Sequence, residues 1–131
     1  MDTLLGLITQ AKEELGIEGV TYLGGEPTIQ QGLPELSRRI RELGLGTILF
    51  TGNLAEELSL TLRLSVDMII DGRFEKGEPD SKRNLIGSTN QRILHMTDRY
   101  RPCEDWFYIP RPKLVEINIG NKLFLTGDYL G

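Results

Sequence analysis

The sequence is poor in residues that hold metals. Its 131 residues include one cysteine, Cys103, and one histidine, His95. A single thiol cannot form an intrachain disulfide, and it cannot by itself hold a zinc ion or an iron–sulfur cluster. We therefore interpret both residues as ordinary packing or surface positions and predict neither a metal site nor a catalytic residue in this chain.

Long apolar runs and an excess of basic charge are also missing. No apolar stretch approaches the roughly 20 residues that a membrane span needs. The net charge of −4 argues against a broad electrostatic affinity for nucleic acid or anionic lipid. The N-terminus lacks the basic start of a signal peptide and carries Lys12, Glu13 and Glu14 instead. These features predict one cytoplasmic domain over residues 1–131, without a nucleic-acid or membrane partner.

Helical and strand patterns alternate in the first half of the chain, over residues 1–71. Each predicted strand is a short, continuous apolar run, which is typical of a parallel sheet covered by helices. The expected class is therefore α/β, as a partial (β/α) barrel with parallel strands. The predicted helices cover 3–15, 34–43 and 54–64, and the predicted strands cover 19–23, 47–50 and 66–70.

Helix ends and faces are also predicted from residue types. Gly16 and Gly44 are expected to end the first two helices, and Asn53 to cap the start of the third. Apolar residues at spacings of three and four are expected to share the buried face of the first helix. They are Leu4, Leu7, Ile8, Ala11 and Leu15.

The second half of the chain has a different pattern. Residues 72–92 are polar and rich in glycine, and we interpret them as a functional loop. Residues 92–100 fit either a short helix or a strand. The aromatic segment 106–108 fits either a hydrophobic cap over the sheet or a docking surface for a large partner. Alternating apolar residues in 113–127, around a Gly-Asn turn, predict a C-terminal β-hairpin.

Glycine-containing polar clusters follow all three predicted parallel strands. They are Gly24-Gly25-Glu26, Thr51-Gly52-Asn53 and Asp71-Gly72-Arg73. Because the carboxyl ends of parallel strands meet at one edge, where α/β proteins bind ligands, we expect the clusters to converge. Each cluster alone also fits an ordinary turn. Their repetition at three consecutive strand ends favours a binding site.

The residue types in these clusters suit a cationic, hydroxylated ligand. Gly24 and Gly25 leave the backbone open to close approach, and Glu26 offers a carboxylate to an ammonium group. Pro27 favours an extended conformation at Glu26. Thr51 adds a hydroxyl, and the carboxylate of Asp71 suits a hydroxyl, a cation or the neighbouring arginine.

At these positions the sequence resembles the radical S-adenosylmethionine enzymes. The stretch "GVTYLGGEPTIQ" resembles their GGE motif, and "ILFTGN", "VDMIIDGRF" and "LIGSTNQRI" follow in the order seen in one subgroup. That subgroup is the glycyl-radical-enzyme activases, including those of anaerobic ribonucleotide reductase. The resemblance runs over about residues 3–127 and implies reductive cleavage of S-adenosylmethionine to generate a glycyl radical on a partner enzyme.

The resemblance also implies roles for individual residues. Gly24, Gly25 and Glu26 would hold the amino acid end of S-adenosylmethionine, and Pro27 belongs to the same motif. Thr51, with Gly52 beside it, would lie near the methionyl or ribose part. Asp71 and Arg73 would face the ligand from the next strand end. Asn90 and Gln91 would lie near the nucleoside or the carboxylate.

The chain departs from the family at the cluster ligands. The enzymes it resembles carry a CxxxCxxC loop that holds a [4Fe–4S] cluster, and this sequence has no such motif. We therefore expect a cluster only if a missing N-terminal segment supplies the cysteines, and an inactive chain otherwise. Three explanations stay open: a truncated fragment, one half of a split enzyme, or a cluster-free binding or regulatory module. A missing first strand would also expose a sheet edge, which predicts a homodimer.

Overall fold

The computed structural model describes residues 2–23, 26–80, 82–83, 86–108 and 122–125. Three helices and five strands form its framework. The helices are α1 (Asp2–Leu15), α2 (Leu33–Glu42) and α3 (Leu60–Ser65). The strands are β1 (Gly19–Tyr22), β2 (Gly46–Phe50), β3 (Met68–Asp71), β4 (Arg92–His95) and β5 (Lys122–Leu125). Short 3-10 helices cover Pro27–Ile29, Ala55–Glu57 and Arg101–Tyr108.

The described strands form one open sheet in the order β4-β3-β2-β1-β5. Strands β5, β1, β2 and β3 are parallel to their neighbours, and β4 runs antiparallel to β3. The α/β class and the parallel pairing of β1, β2 and β3 are thus confirmed, whereas the described strands form an open sheet instead of the predicted partial barrel. No helix intervenes between β3 and β4 in the described residues, so the chain turns back and pairs antiparallel instead of crossing over.

The edge of β1 that the sequence led us to expect as exposed is covered. Residues Gly19–Tyr22 pair with β2 on one side and with Lys122–Leu125 of β5 on the other. This pairing removes the physical basis for the predicted homodimer. The predicted hairpin at 113–127 lies outside the described residues except for its last segment, which forms β5.

Helices cover one face of the sheet and loop residues cover the other. The side chains of Val20, Tyr22, Leu49 and Ile69 face the helices. Ile48, Met68 and Ile70 face the opposite way and pack with Ile86 and Tyr100. Since both faces of the central strands are buried, their continuous apolar runs are explained.

Three local predictions about helices are wrong. In α1, Leu4 and Ile8 are buried as expected, but Leu7 is 53% exposed and Leu15 is 70% exposed. The segment predicted as one helix over 54–64 is divided into a 3-10 helix and α3. Ser59, rather than Asn53, caps α3 by accepting a hydrogen bond from the Leu62 N–H at 3.2 Å. Gly16 and Gly44 do follow α1 and α2, with positive φ angles.

Candidate functional site

A cleft of about 290 Å³ lies where β1, β2 and β3 end. Leu23 follows β1, Phe50 ends β2, and Gly72 follows β3, so the three strand ends do converge as predicted. The remaining lining residues are Thr51, Gly52, Phe74 and Gln91. Gly24 and Gly25, to which the sequence assigns backbone contacts with a ligand, lie outside the described residues.

The carboxylate of Glu26 joins the loop after β1 to the loop after β2. Its Oε2 accepts hydrogen bonds from the Thr28 N–H at 3.1 Å, the Thr51 hydroxyl at 2.8 Å and the Thr28 hydroxyl. Its Oε1 accepts from the Gly52 N–H at 2.7 Å. Glu26 is extended, as its position before Pro27 predicts. The two loops are therefore held together by one ionisable group.

This environment keeps Glu26 charged. Partial burial raises the pKa of the carboxyl, but the hydrogen bonds from Thr28, Gly52 and Thr51 outweigh it and hold the pKa below its ordinary value. A negative charge thus lies beside the cleft at neutral pH. Glu26 does not itself line the cleft, but it is hydrogen-bonded to the lining residues Thr51 and Gly52, so an ionised and oriented carboxylate lies directly behind this part of the wall.

Asp71 does not face the cleft. Its side chain is buried, and Oδ2 accepts from the Ala55 N–H at 2.7 Å. Arg92, its direct neighbour on β4, donates to both carboxylate oxygens and also to Glu56. Burial raises the pKa of Asp71, but the hydrogen bonds from Arg92 and Ala55 outweigh it, and the pKa lies below its ordinary value. Asp71 therefore holds loop backbone in place.

The loop after β3 contributes Gln91 to the cleft. Its Nε2 donates to the Gly72 carbonyl at 2.9 Å, and its Oε1 accepts from the N–H groups of Gly87 and Ser88. Asn90 is exposed and donates to the carbonyl of Arg73 at 2.9 Å. The structure thus brings Gln91 to the cleft with Thr51 and Gly52, while Asn90 and Arg73 lie on the exposed side of the loop.

Five residues of this region were not predicted as site residues. Thr28 and Arg92 hold Glu26 and Asp71. The other three, Leu23, Phe50 and Phe74, are apolar and line the cleft. The signal for Phe74 was present, because it is the one aromatic residue in the polar stretch 72–92. No comparable sequence signal marks Thr28 or Arg92, whose partners are defined by the folded chain.

The residues of this chain do not fit a [4Fe–4S] cluster. Such clusters are held by several thiolates, whereas the sequence has one cysteine and Cys103 is exposed. Among the described residues, no three His, Cys, Asp or Glu side chains are grouped so that they could hold a metal ion. His95 is largely buried, and its Nε2 lies 3.6 Å from Glu104.

No helix in the described segments combines sufficient length with sufficient apolar character to cross a bilayer.

Comparison with known proteins identifies the family. Residues 2–94 match the family model described as a 4Fe-4S single cluster domain. The chain therefore belongs to this family, and the resemblance to radical S-adenosylmethionine enzymes is confirmed. No solved structure matches the chain significantly.

Individual relatives match parts of the chain. An anaerobic ribonucleoside-triphosphate reductase-activating protein of Enterobacteria phage T4 is 36% identical over 88 residues, which are 63% of this chain and 56% of the phage protein. A probable GTP 3',8-cyclase of Metallosphaera sedula is 41% identical over 49 residues, covering 37% of this chain and 16% of that protein. The chain thus spans about half of the phage relative and a smaller share of the cyclase.

Proposed function

We propose that the cleft binds S-adenosylmethionine, as part of an activase that generates a glycyl radical on a partner enzyme such as anaerobic ribonucleotide reductase. The observation that carries this proposal is the ionised Glu26 beside a cleft formed by three strand ends, in a chain of this family. Similarity to the phage reductase-activating protein supports the choice of partner class.

The cleft suits the two ends of S-adenosylmethionine. Glu26 offers its negative charge to the ammonium group, which gains from charge-assisted hydrogen bonding. Leu23 and Phe50 offer apolar walls to the nucleoside and the thioether carbon atoms. In this proposal Thr51 and Gly52 keep Glu26 oriented. S-adenosylmethionine itself supplies a carbon–sulfur bond that an activase cleaves reductively.

A second candidate function follows from the single cysteine. A chain of this composition also suits a cluster-free binding or regulatory module, or one half of a split enzyme whose other chain carries the thiolates. The coding sequence around this segment discriminates among the three possibilities. A CxxxCxxC motif in the same reading frame supports the activase, and the motif in a neighbouring gene supports the split enzyme. Absence of the motif from both the reading frame and the neighbouring genes supports the module.

Titration calorimetry with S-adenosylmethionine tests the binding proposal. We expect Glu26→Ala and Glu26→Gln to weaken binding about tenfold or more, because both remove the charge that faces the ammonium group. Glu13→Ala removes an exposed carboxylate from α1 and should leave binding unchanged. Thermal melts of the variants identify any loss of folding.

Two results would count against the proposal. In the first, the wild-type chain fails to bind S-adenosylmethionine. In the second, both Glu26 variants bind as tightly as wild type while remaining folded. Either outcome removes the assigned role of the carboxylate in this chain.

A further inference from the structure

Phe74 combines exposure to solvent with a position at the cleft. It lies in the loop after β3, lines the cleft, and is 52% exposed. Its sequence neighbours Arg73 and Glu75 are polar and exposed. Leaving half of an aromatic ring in water forgoes a substantial part of the free energy that its burial would provide. An exposed ring beside a cleft therefore invites a functional explanation.

The loop holds this ring in a defined place. A Cβ atom at Gly87 would lie 2.7 Å from Cδ2 and 3.1 Å from Cε2 of Phe74, so one edge of the ring rests where only glycine leaves room. The Gly87 N–H donates to Gln91, and Gln91 donates in turn to the Gly72 carbonyl. The hydrogen bonds that join Gly72, Gln91 and Gly87 thus fix the position of Gly87 against one edge of the ring.

The polar side chains of the cleft are already engaged. The Thr51 hydroxyl donates to Glu26 and accepts from the Asn53 N–H, and the amide of Gln91 makes three hydrogen bonds to backbone groups. The surface that the cleft offers to a ligand is therefore the apolar surface of Leu23, Phe50 and Phe74. Such a surface suits a planar ring held by stacking, because stacking requires no free hydrogen-bonding side chain.

We propose that Phe74 is the platform on which the base of the bound nucleoside stacks, and that Gly87 positions its ring. This inference rests on the proposed function and extends it, because it assigns the nucleoside end of the ligand to the loop after β3. Glu26, beside the loops after β1 and β2, then serves the amino acid end. Phe74 and Glu26 then contact opposite ends of the ligand.

Binding of two probes, S-adenosylmethionine and adenosine, separates the roles. Phe74→Ala should weaken both ligands about tenfold, within the range found for base–aromatic stacking. Phe74→Trp should retain both ligands and show quenching of the added tryptophan fluorescence by adenosine. Glu26→Ala should weaken S-adenosylmethionine only, because adenosine has no ammonium group.

A glycine pair provides the matched control for positioning. Gly87→Ala should weaken adenosine while Phe74 remains present, because the added methyl group displaces the ring. Gly77→Ala, in the same loop, has no atom within 4 Å of its new Cβ and should bind like wild type.

The outcomes distinguish this inference from the proposed function. Unchanged adenosine affinity in folded Phe74→Ala overturns the stacking role, as does a loss confined to S-adenosylmethionine. Adenosine binding that depends on Phe74, together with no binding of S-adenosylmethionine, overturns the proposed function alone. If wild type binds neither probe, both proposals are wrong.

Discussion

Asp71 shows how a single residue at a strand end can support a site without entering it. The sequence predicted that the carboxylate of Asp71 faces a ligand. In the structure it instead accepts hydrogen bonds from the Ala55 N–H and from Arg92. It thereby ties β3 to the loop after β2, which carries Thr51 and Gly52 of the cleft. A polar residue at the end of a parallel strand can face either the ligand or the scaffold, and residue type alone does not distinguish the two.

Asp71 should also make folding stability depend on pH. Its pKa is lower in the folded chain than in the unfolded chain, so on acidification the unfolded chain takes up the proton first. The stabilisation is therefore present above about pH 4 and is lost as the pH falls further. Urea unfolding from pH 7 to pH 3 should show a smaller decrease for Asp71→Asn than for wild type.

At neutral pH the same variant should lower the free energy of unfolding by about 2 kcal/mol, because Arg92 and the Ala55 N–H lose a charged acceptor. Asp98→Asn is the matched control, since Asp98 is exposed and forms its ion pair with Arg101. Its effect should stay within about 0.5 kcal/mol. Equal effects of the two substitutions would contradict the structural role of Asp71.

At the scale of elements, the segment after β2 illustrates what the sequence could not reveal. Apolar periodicity over 54–64 fits one helix, but Asp71 accepts the Ala55 N–H and Glu57 accepts the Leu54 N–H. These bonds support a 3-10 helix, and the extended, buried Leu58 then separates it from α3. The contact from β3 is tertiary, so no local pattern could predict it.

The N-cap of α3 is open to a direct test. Ser59→Ala should lower the free energy of unfolding by about 1 kcal/mol, because the Leu62 N–H loses its acceptor. Ser59→Asp keeps an acceptor at the helix N-terminus and should remain close to wild type. Denaturant unfolding measures both variants. A neutral Ser59→Ala would show that this cap contributes nothing to stability.

At the scale of the whole molecule, the sheet depends on a strand from the far end of the sequence. Removing residues after Tyr108 should leave the β5-facing side of β1 without partners. We expect faster hydrogen exchange at Gly19–Tyr22 and concentration-dependent association in sedimentation. Met68–Asp71 serves as the internal control, because β3 keeps both neighbours. Unchanged exchange in β1 would contradict the β1–β5 pairing.

The sequence predicted the three central strands of the sheet well and its two outer strands poorly. Buried runs such as 47–50 identified the strands because both faces of the sheet are apolar, and the polar residues after them identified the cleft edge. The antiparallel β4 and the pairing of β5 with β1 depend on contacts between distant segments, which carry no local signal. For the same reason the sequence could name Glu26, Thr51 and Gly52 but not the hydrogen bonds that join them.

The network around Glu26 has a consequence for the speed of binding. Oε2 of this carboxylate accepts three hydrogen bonds, whereas Oε1 accepts one, from the Gly52 N–H. Because each oxygen of an ionised carboxylate has two lone pairs, Oε1 can accept an ammonium N–H without displacing Gly52, Thr51 or Thr28. Ligand capture then needs no rearrangement of the two loops, and we expect an association rate that rises in proportion to ligand concentration without levelling off.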